Sequence, residues 1–348
     1  MKLDVSGHPL HSRVLTINLT AHGEGKFNAR GILLDLRKTG FLPLTGNLQP
    51  SGIVHHMQLD VTFDPAERTL ETVKALQPTV AYESSSLTQM ENCRDTIAAI
   101  EALSETRLDD QYAGRLNQAI GGPRGCTHLL TLAQLLGSSL DWFLNQEGEI
   151  GLDRNLWSPG ERVFQRTLTL DGFECDGGAV KMAIQLADLH LKPATATAFP
   201  MDHFSGQFEL RILLEIDMNT MSINGVTAAK RRRNVNDIAG ARWQDLKETV
   251  EDLAGLGLMT GMNHALFRRF GNQPSQRPLL DALLNLTPGI IQCIGSMSEG
   301  YPLAAQENHS LLGMGKEAPV EDACYMWRKE GALIQIRKRE NMDHENEI

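Results

Sequence analysis

Apolar and polar residues alternate with a period of two along successive stretches of the first half of the chain, and the same order of patterns returns in the second half. Arg13-Val14-Leu15-Thr16-Ile17 recurs as Arg162-Val163-Phe164-Gln165-Arg166, and Ile32-Leu33-Leu34-Asp35-Leu36 as Ile184-Gln185-Leu186-Ala187-Asp188. A third strand ends in Val61-Thr62-Phe63-Asp64 and again in Leu214-Glu215-Ile216-Asp217, each followed by a shorter extended segment near 70–76 and 221–228. The period then lengthens to about 3.6, which predicts helices. They are expected over 89–103 and 109–120 in the first half, and over 243–256 and 262–270 in the second. Each half closes on a long apolar helix, introduced by GGPRGCTHLLTLAQLL from Gly121 and by GNQPSQRPLLDALLNL from Gly271. The offset between halves stays near constant: 149 from Arg13 to Arg162, 153 from Asp64 to Asp217, 150 from Leu129 to Leu279.

Strands first and helices afterwards predict an α+β fold, a tandem duplication in which each copy is an antiparallel sheet with helices on one face. The expected organisation is a first copy over 1–148, a Gly- and Pro-bearing linker over 149–160, a second copy over 161–300, and an extension over 301–348 with a charged, frayed end. Two copies packed about a pseudo-two-fold axis would leave a cleft between them as a natural pocket.

Charge narrows the function classes. The 348 residues carry a net charge of −10, with a pI near 5.6, so a general affinity for nucleic acid or anionic membranes is not expected. The N-terminal stretch has no basic segment leading into a continuous apolar run, and no apolar stretch reaches spanning length, which predicts a cytoplasmic protein. The five cysteines (Cys93, Cys126, Cys175, Cys293, Cys324) include no CxxC pair and read as free or metal-bound thiols in a reducing compartment.

The third strand places His55, Met57, Leu59, Val61 and Phe63 on one face and His56, Gln58, Asp60 and Thr62 on the other, so His55 points to the helix-covered side. A histidine in such a place is ordinarily a hydrogen-bonded core residue. Cys126 and His128 stand at the start of the closing helix, where Thr127 is the expected cap and the helix N-terminus is expected to lower the thiol pKa. A lone C-x-H is equally readable as a buried small residue followed by a polar one. The comparison between halves changes the weighting: Cys126 faces Gln276, His128 faces Pro278, His55 faces Phe208, and Cys93 falls near Trp243. These polar groups are missing together from the second half, as for a site confined to the first. Lys230-Arg231-Arg232-Arg233 reads as a solvated loop and Asp202-His203 as a surface loop.

Val54-His55-His56-Met57-Gln58-Leu59 resembles the I-H-D-M-x-L strand of a bacterial family catalogued as domain of unknown function 2889. Gly122-Pro123-Arg124-Gly125-Cys126-Thr127-His128-Leu129 resembles its G-x-x-G-C-T-H-L helix start, and Cys93 falls at its isolated upstream cysteine. The resemblance covers about residues 12–145, with His56 in place of the family's acidic residue and Arg94 in place of its proline. It implies a shared site at His55, Cys93, Cys126 and His128 and brings no settled reaction.

The residue types fit a small-molecule enzyme, a non-redox lyase or hydrolase for an apolar or aromatic compound. In one form zinc or ferrous iron is held by His55, Cys93, Cys126 and His128; in the other Cys126 is the nucleophile, with His55 or His128 as general acid or base. The alternatives are a metal or iron–sulfur scaffold without catalysis, for which the strands-then-helices order is a loose analogy, and a binding protein with no chemistry. The enzyme predicts an enclosed pocket at Cys126, and the scaffold predicts surface thiols. Either is compatible with a homo-oligomer. No Walker loop, G-x-G-x-x-G, H-E-x-x-H or G-x-S-x-G occurs in the sequence.

Overall fold

Leu15 and Leu168 lie directly opposite each other in neighbouring antiparallel strands, and the rest of the sheet extends symmetrically to either side of them. The computed structural model describes residues 2–40, 42–44, 47–86, 88–150, 156–193, 199–259, 261–297, 321–336 and 338. The first half contributes β1 (His8–Gly23), β2 (Lys26–Arg37), a hairpin of β3 (Leu42–Leu44) and β4 (Asn47–Gln49), β5 (Gly52–Asp64), β6 (Thr69–Thr79) and the short β7 (Thr106–Arg107). The second contributes β8 (Arg162–Glu174), β9 (Val180–Leu191), β10 (Phe204–Asp217), β11 (Ser222–Asn234) and the short β12 (Gln244–Asp245). Together they form one ten-stranded antiparallel sheet in the order β12-β11-β10-β9-β8-β1-β2-β5-β6-β7, with β3 and β4 apart.

The register repeats with a single offset. Moving 153 residues along the chain, the distance from Arg13 to Arg166, turns the pair Arg13↔Asp35 into Arg166↔Asp188. The same step turns Asp35↔His55 into Asp188↔Phe208, and Val61↔Val73 into Leu214↔Val226. Ladder position therefore matches Arg13 with Arg166, four residues beyond the Arg162 that sequence alone suggests, because the apolar runs can be slid along each other and the hydrogen bonds cannot. The fourth strand of each half is also full length, so Lys230–Arg233 lies within β11 and not in a loop. Arg231 and Arg233 both bond Glu209, while Arg232 stacks over Trp142 and Phe208.

One face of the sheet is covered. In β1 the residues Arg13, Leu15, Ile17, Leu19 and Ala21 are buried, and Val14, Thr16, Asn18 and Thr20 are half-buried. Over the buried face lie α1 (Ile97–Glu101), α2 (Tyr112–Ile120), α3 (Thr127–Ile150), α4 (Lys247–Val250), α5 (Met262–Phe270), α6 (Arg277–Leu283) and α7 (Leu286–Ser296). The expected long helices over 89–103 and 243–256 are instead broken into 3₁₀ turns and the short α1 and α4. α3 packs on β1, β2 and β5, and α7 on β1, β2 and β8, so α7 crosses the seam between the halves. It can do so because of two glycines: a Cβ on Gly172 would meet Cys293 Sγ at 2.1 Å, and one on Gly289 would meet Leu170 Cδ2 at 2.6 Å. The halves thus share one sheet and one contiguous core, with a strand pair where a cleft was expected. Among the described residues, Pro274–Ser296 is long and apolar enough to cross a membrane, and 67% of its 18-residue window is buried here as core.

Side chains engage part of the outer edge of β6. Val73 N–H donates to Ser104 Oγ (3.0 Å), Ala75 N–H to Glu101 Oε1 (3.1 Å), and Gln77 C=O accepts from Arg94 Nε (2.9 Å). In the linker, residues 151–155 lie outside those described. Its end is fixed to β1 through Gly160 N–H donating to Ala21 O and Ala21 N–H donating to Glu161 O. Of the extension, 321–336 and 338 are described and the charged end beyond them is not; its 3₁₀ turn Tyr325–Trp327 docks on the first half.

Beneath the helices of the second half, Arg166 donates through Nε and Nη2 to Asp188 and through Nη1 to Asp281 Oδ2, each at 2.7 Å. Ser138 Oγ on α3 also donates to Asp281 Oδ2 (2.7 Å), and burial raises this carboxyl to about 6. All three charged side chains are essentially inaccessible. Replacing Arg166 by Leu strands the buried carboxylates, and the stability measured by urea unfolding is expected to fall by about 3–5 kcal/mol.

Burial also lowers His190, beside the Phe164 ring, from 6.5 to about 4. The unfolded chain takes up this proton near pH 6.5 and the folded one only near 4, so the stabilisation is complete above 6.5 and is lost as pH falls toward 4. Urea midpoints followed across that window should fall for the wild type and flatten for His190→Phe, a difference of up to about 3 kcal/mol at pH 4.

Candidate metal and thiol site

Asp35 is the centre of the first half's buried polar cluster. It sits on the inward face of β2, opposite Arg13 of β1 and His55 of β5, and is fully buried. Its two oxygens face different partners. Oδ1 lies 3.3 Å from His11 Nε2 and 3.8 Å from Arg13 Nη1. Oδ2 lies 3.2 Å from His55 Nδ1 and 3.3 Å from His128 Nε2, the latter delivered from the first turn of α3. The His55 and His128 rings stack with centroids 3.8 Å apart.

Electrostatics keeps the carboxylate charged and favours the neutral form of two of the imidazoles, His11 and His128. Burial opposes the charge on Asp35, but Arg13, His11 and His55 outweigh it and hold the carboxyl well below the usual range. Burial, followed by His55, pushes His128 well below 6.5, and burial likewise lowers His11. Close as these groups are, both Asp35 oxygens, His55 Nδ1 and His128 Nε2 are buried without a hydrogen bond of acceptable geometry. Asp35, His55 and His128 each offer a ligand atom within 4.8 Å of the others, so this group could hold a metal ion. Buried polar atoms that converge without a well-formed hydrogen bond are costly unless a cation shares them.

Cys126 lies on the other side of His128, its Sγ 3.9 Å from Nδ1. It is the N-cap of α3, since its carbonyl accepts from Leu130 N–H; Thr127, expected to be the cap, instead donates its hydroxyl to Ala323 O. The helix start does not make this thiol acidic. Burial pushes it up to about 11 against the pull of the Leu129 and His128 N–H groups, because desolvation of the thiolate outweighs the partial charges of one helix end. Cys93 opens the 3₁₀ turn Cys93–Thr96, its N–H donating to Tyr82 O, and its half-buried thiol is raised first by desolvation and then by Cys126.

The structure therefore joins His55 and His128 at Asp35, places Cys126 against the second of them, and leaves Cys93 beside Cys126 outside the triad. His56 is half-buried on the opposite face. The alternation contained a signal for the residues sequence reasoning missed: Arg13 falls in phase with Leu15 and Ile17, and Asp35 with Leu33, so two charges were directed into the core. Two cavities lie away from the cluster, one of about 560 Å³ beside Cys175 and Lys181 and one of about 300 Å³ beside Trp142 and Arg277.

Residues 11–140 match the family described as protein of unknown function (DUF2889), which supports that family for the first half of the chain. No curated protein and no solved structure matches the chain significantly. The matched segment contains the whole cluster, from His11 to His128.

Phe208 occupies in the second half the ladder position of His55, so His55→Phe transplants a side chain the scaffold already carries. The variant should keep its thermal unfolding within about 1 kcal/mol of wild type. A histidine needed only for the core would cost more.

Proposed function

We propose that the chain is a small-molecule enzyme, a non-redox lyase or hydrolase, in which Asp35 Oδ2, His55 Nδ1 and His128 Nε2 hold a divalent ion, zinc or ferrous iron. The observation that carries the reading is the convergence of three buried ligand atoms, none of them satisfied by a hydrogen bond. Three protein ligands leave a coordination position for water or a substrate carbonyl, and the ion would lower the pKa of the one or polarise the other. Arg13 and His11 on Oδ1 orient the carboxylate, the second layer such a centre needs. An apolar or aromatic compound is the substrate class that this reading takes.

A second reading is supported by the 3.9 Å approach of Cys126 to His128, itself in contact with Asp35. Thiol, imidazole and carboxylate in that order form a nucleophilic relay, with His128 taking the proton that burial holds on the sulfur. Burial of Cys126 and Cys293, with the other thiols half-buried, favours an enzyme over a scaffold that hands on metal. The five free cysteines are in keeping with the reducing cytoplasm. We read the two halves as a duplicated pair of domains fused edge to edge, with the second degenerate at the site; the constant ladder offset of 153 residues supports this.

Elemental analysis of untagged protein tests the proposal. About one zinc or iron per chain is expected, lost in Asp35→Asn, His55→Phe and His128→Ala and retained in Cys126→Ser. Loss in Cys126→Ser as well would point to a ligand set of His55, Cys93, Cys126 and His128. A metal-free wild type would reject the metal centre and leave the relay.

A further inference from the structure

Two hydrogen bonds flank Cys126 and Cys324 from both sides. Tyr325 N–H donates to Gly125 O at 2.8 Å, and Thr127 Oγ1 donates to Ala323 O at 2.7 Å. The residue after one cysteine bonds the residue before the other, twice over. That is the pattern around a non-hydrogen-bonded pair in an antiparallel ladder, with the Thr127 hydroxyl standing in for a backbone N–H. The backbone has the required form: Cys324 is extended at φ −157° and ψ 175°, and Gly125 at φ −154° and ψ −166°. A regular pair of this kind has its Cα atoms about 4.5 Å apart, and the roughly 4.4–6.8 Å that a disulfide spans leaves room for the added reach of the Thr127 side chain.

The rest of the segment is fastened to the same surface. Arg328 pairs with Glu91, Tyr82 meets the Trp327 ring edge-on with centroids 5.9 Å apart, and Tyr325 Oη reaches Asp95 at 3.5 Å. These contacts fix the segment across the helix starts that carry Cys93 and Cys126. Cys324 lies outside the part of the chain that matches the family.

We propose that Cys126 and Cys324 are a redox modification site, a thiol pair that closes to an intramolecular disulfide on reaction with a small-molecule disulfide. Cys324, half-buried where Cys126 is buried, loses its proton and attacks a sulfur of the reagent, whose S–S bond breaks and releases one thiol. Cys126 then loses its proton and attacks Cys324 Sγ, expelling the second thiol. Two cysteine thiols are oxidised and one disulfide is reduced to two thiols. The new bond pins the segment to the start of α3 and withdraws the Cys126 sulfur from His128 Nδ1.

The test treats the reduced full-length chain with oxidised glutathione, blocks remaining thiols, and maps peptides without reduction. A Cys126–Cys324 crosslink is expected, reversed by dithiothreitol, absent from Cys126→Ser and Cys324→Ser, and present in Cys93→Ser. Cleavage after Arg328 and Lys329 under native conditions should slow by about tenfold once the bond has formed. Circular dichroism confirms that each variant folds. A crosslink through Cys93, or glutathione retained on Cys324 with no internal bond, would overturn the proposal. Neither readout needs a metal or an assay of turnover, so this pair and the Asp35 centre stand or fall separately.

Discussion

The antiparallel pairing of β1 with β8 about Leu15 and Leu168 is the constraint from which the rest of the architecture follows. Hydrogen bonds along that seam turn two meanders, each of four long strands with a short edge strand, into one ten-stranded sheet, so both buried faces point the same way and a single layer of helices covers them. The pairing also sets Arg13 opposite Leu170 and Arg166 opposite Ile17, one guanidinium on each side of the central pair of leucines. Each arginine then needs a carboxylate from the next strand, which Asp35 and Asp188 supply at matching ladder positions. A register slip of one residue would turn both charges to the solvent face and the polar face into the core.

From that shared plan the two halves diverge in what completes the cluster. In the second half Arg166 meets two carboxylates with well-formed hydrogen bonds, one of them also held by the Ser138 hydroxyl, and the charges are settled among the protein's own groups. The first half gives Arg13 one carboxylate and surrounds it with three imidazoles, two of them pushed toward neutrality by burial. A closed ion-pair network on one side corresponds to an arrangement of lone pairs on the other. The scaffold holds both, so the difference lies in the side chains that fill three positions.

Much of this was legible in the chain. Period-two alternation gave the strands and put His55 on the buried face, and the comparison of halves singled out His55, Cys126 and His128. What alternation alone could not supply was register: apolar runs align at several offsets, and only the hydrogen-bonded ladder makes Arg166 the counterpart of Arg13 and brings Asp35 to His55. Nor could local sequence weigh burial against a helix end at Cys126, since desolvation depends on what the rest of the chain stacks around the sulfur. Cys324 is nearly 200 residues from Cys126, and nothing in its own neighbours announces the contact.

The side-chain bonds along the edge of β6 have a consequence for how copies of this chain can meet. An extended strand at a sheet margin normally presents a row of donors and acceptors to any passing chain, and proteins blunt it with charges, bulges or a cover. Here Ser104, Glu101 and Arg94 occupy those groups one by one, and β7 takes the positions at Thr69 and Leu70. With these groups already engaged, a neighbour's strand finds fewer free donors and acceptors there, and assembly through that side has to lean on side-chain surfaces, which can be selective in a way that a bare backbone cannot.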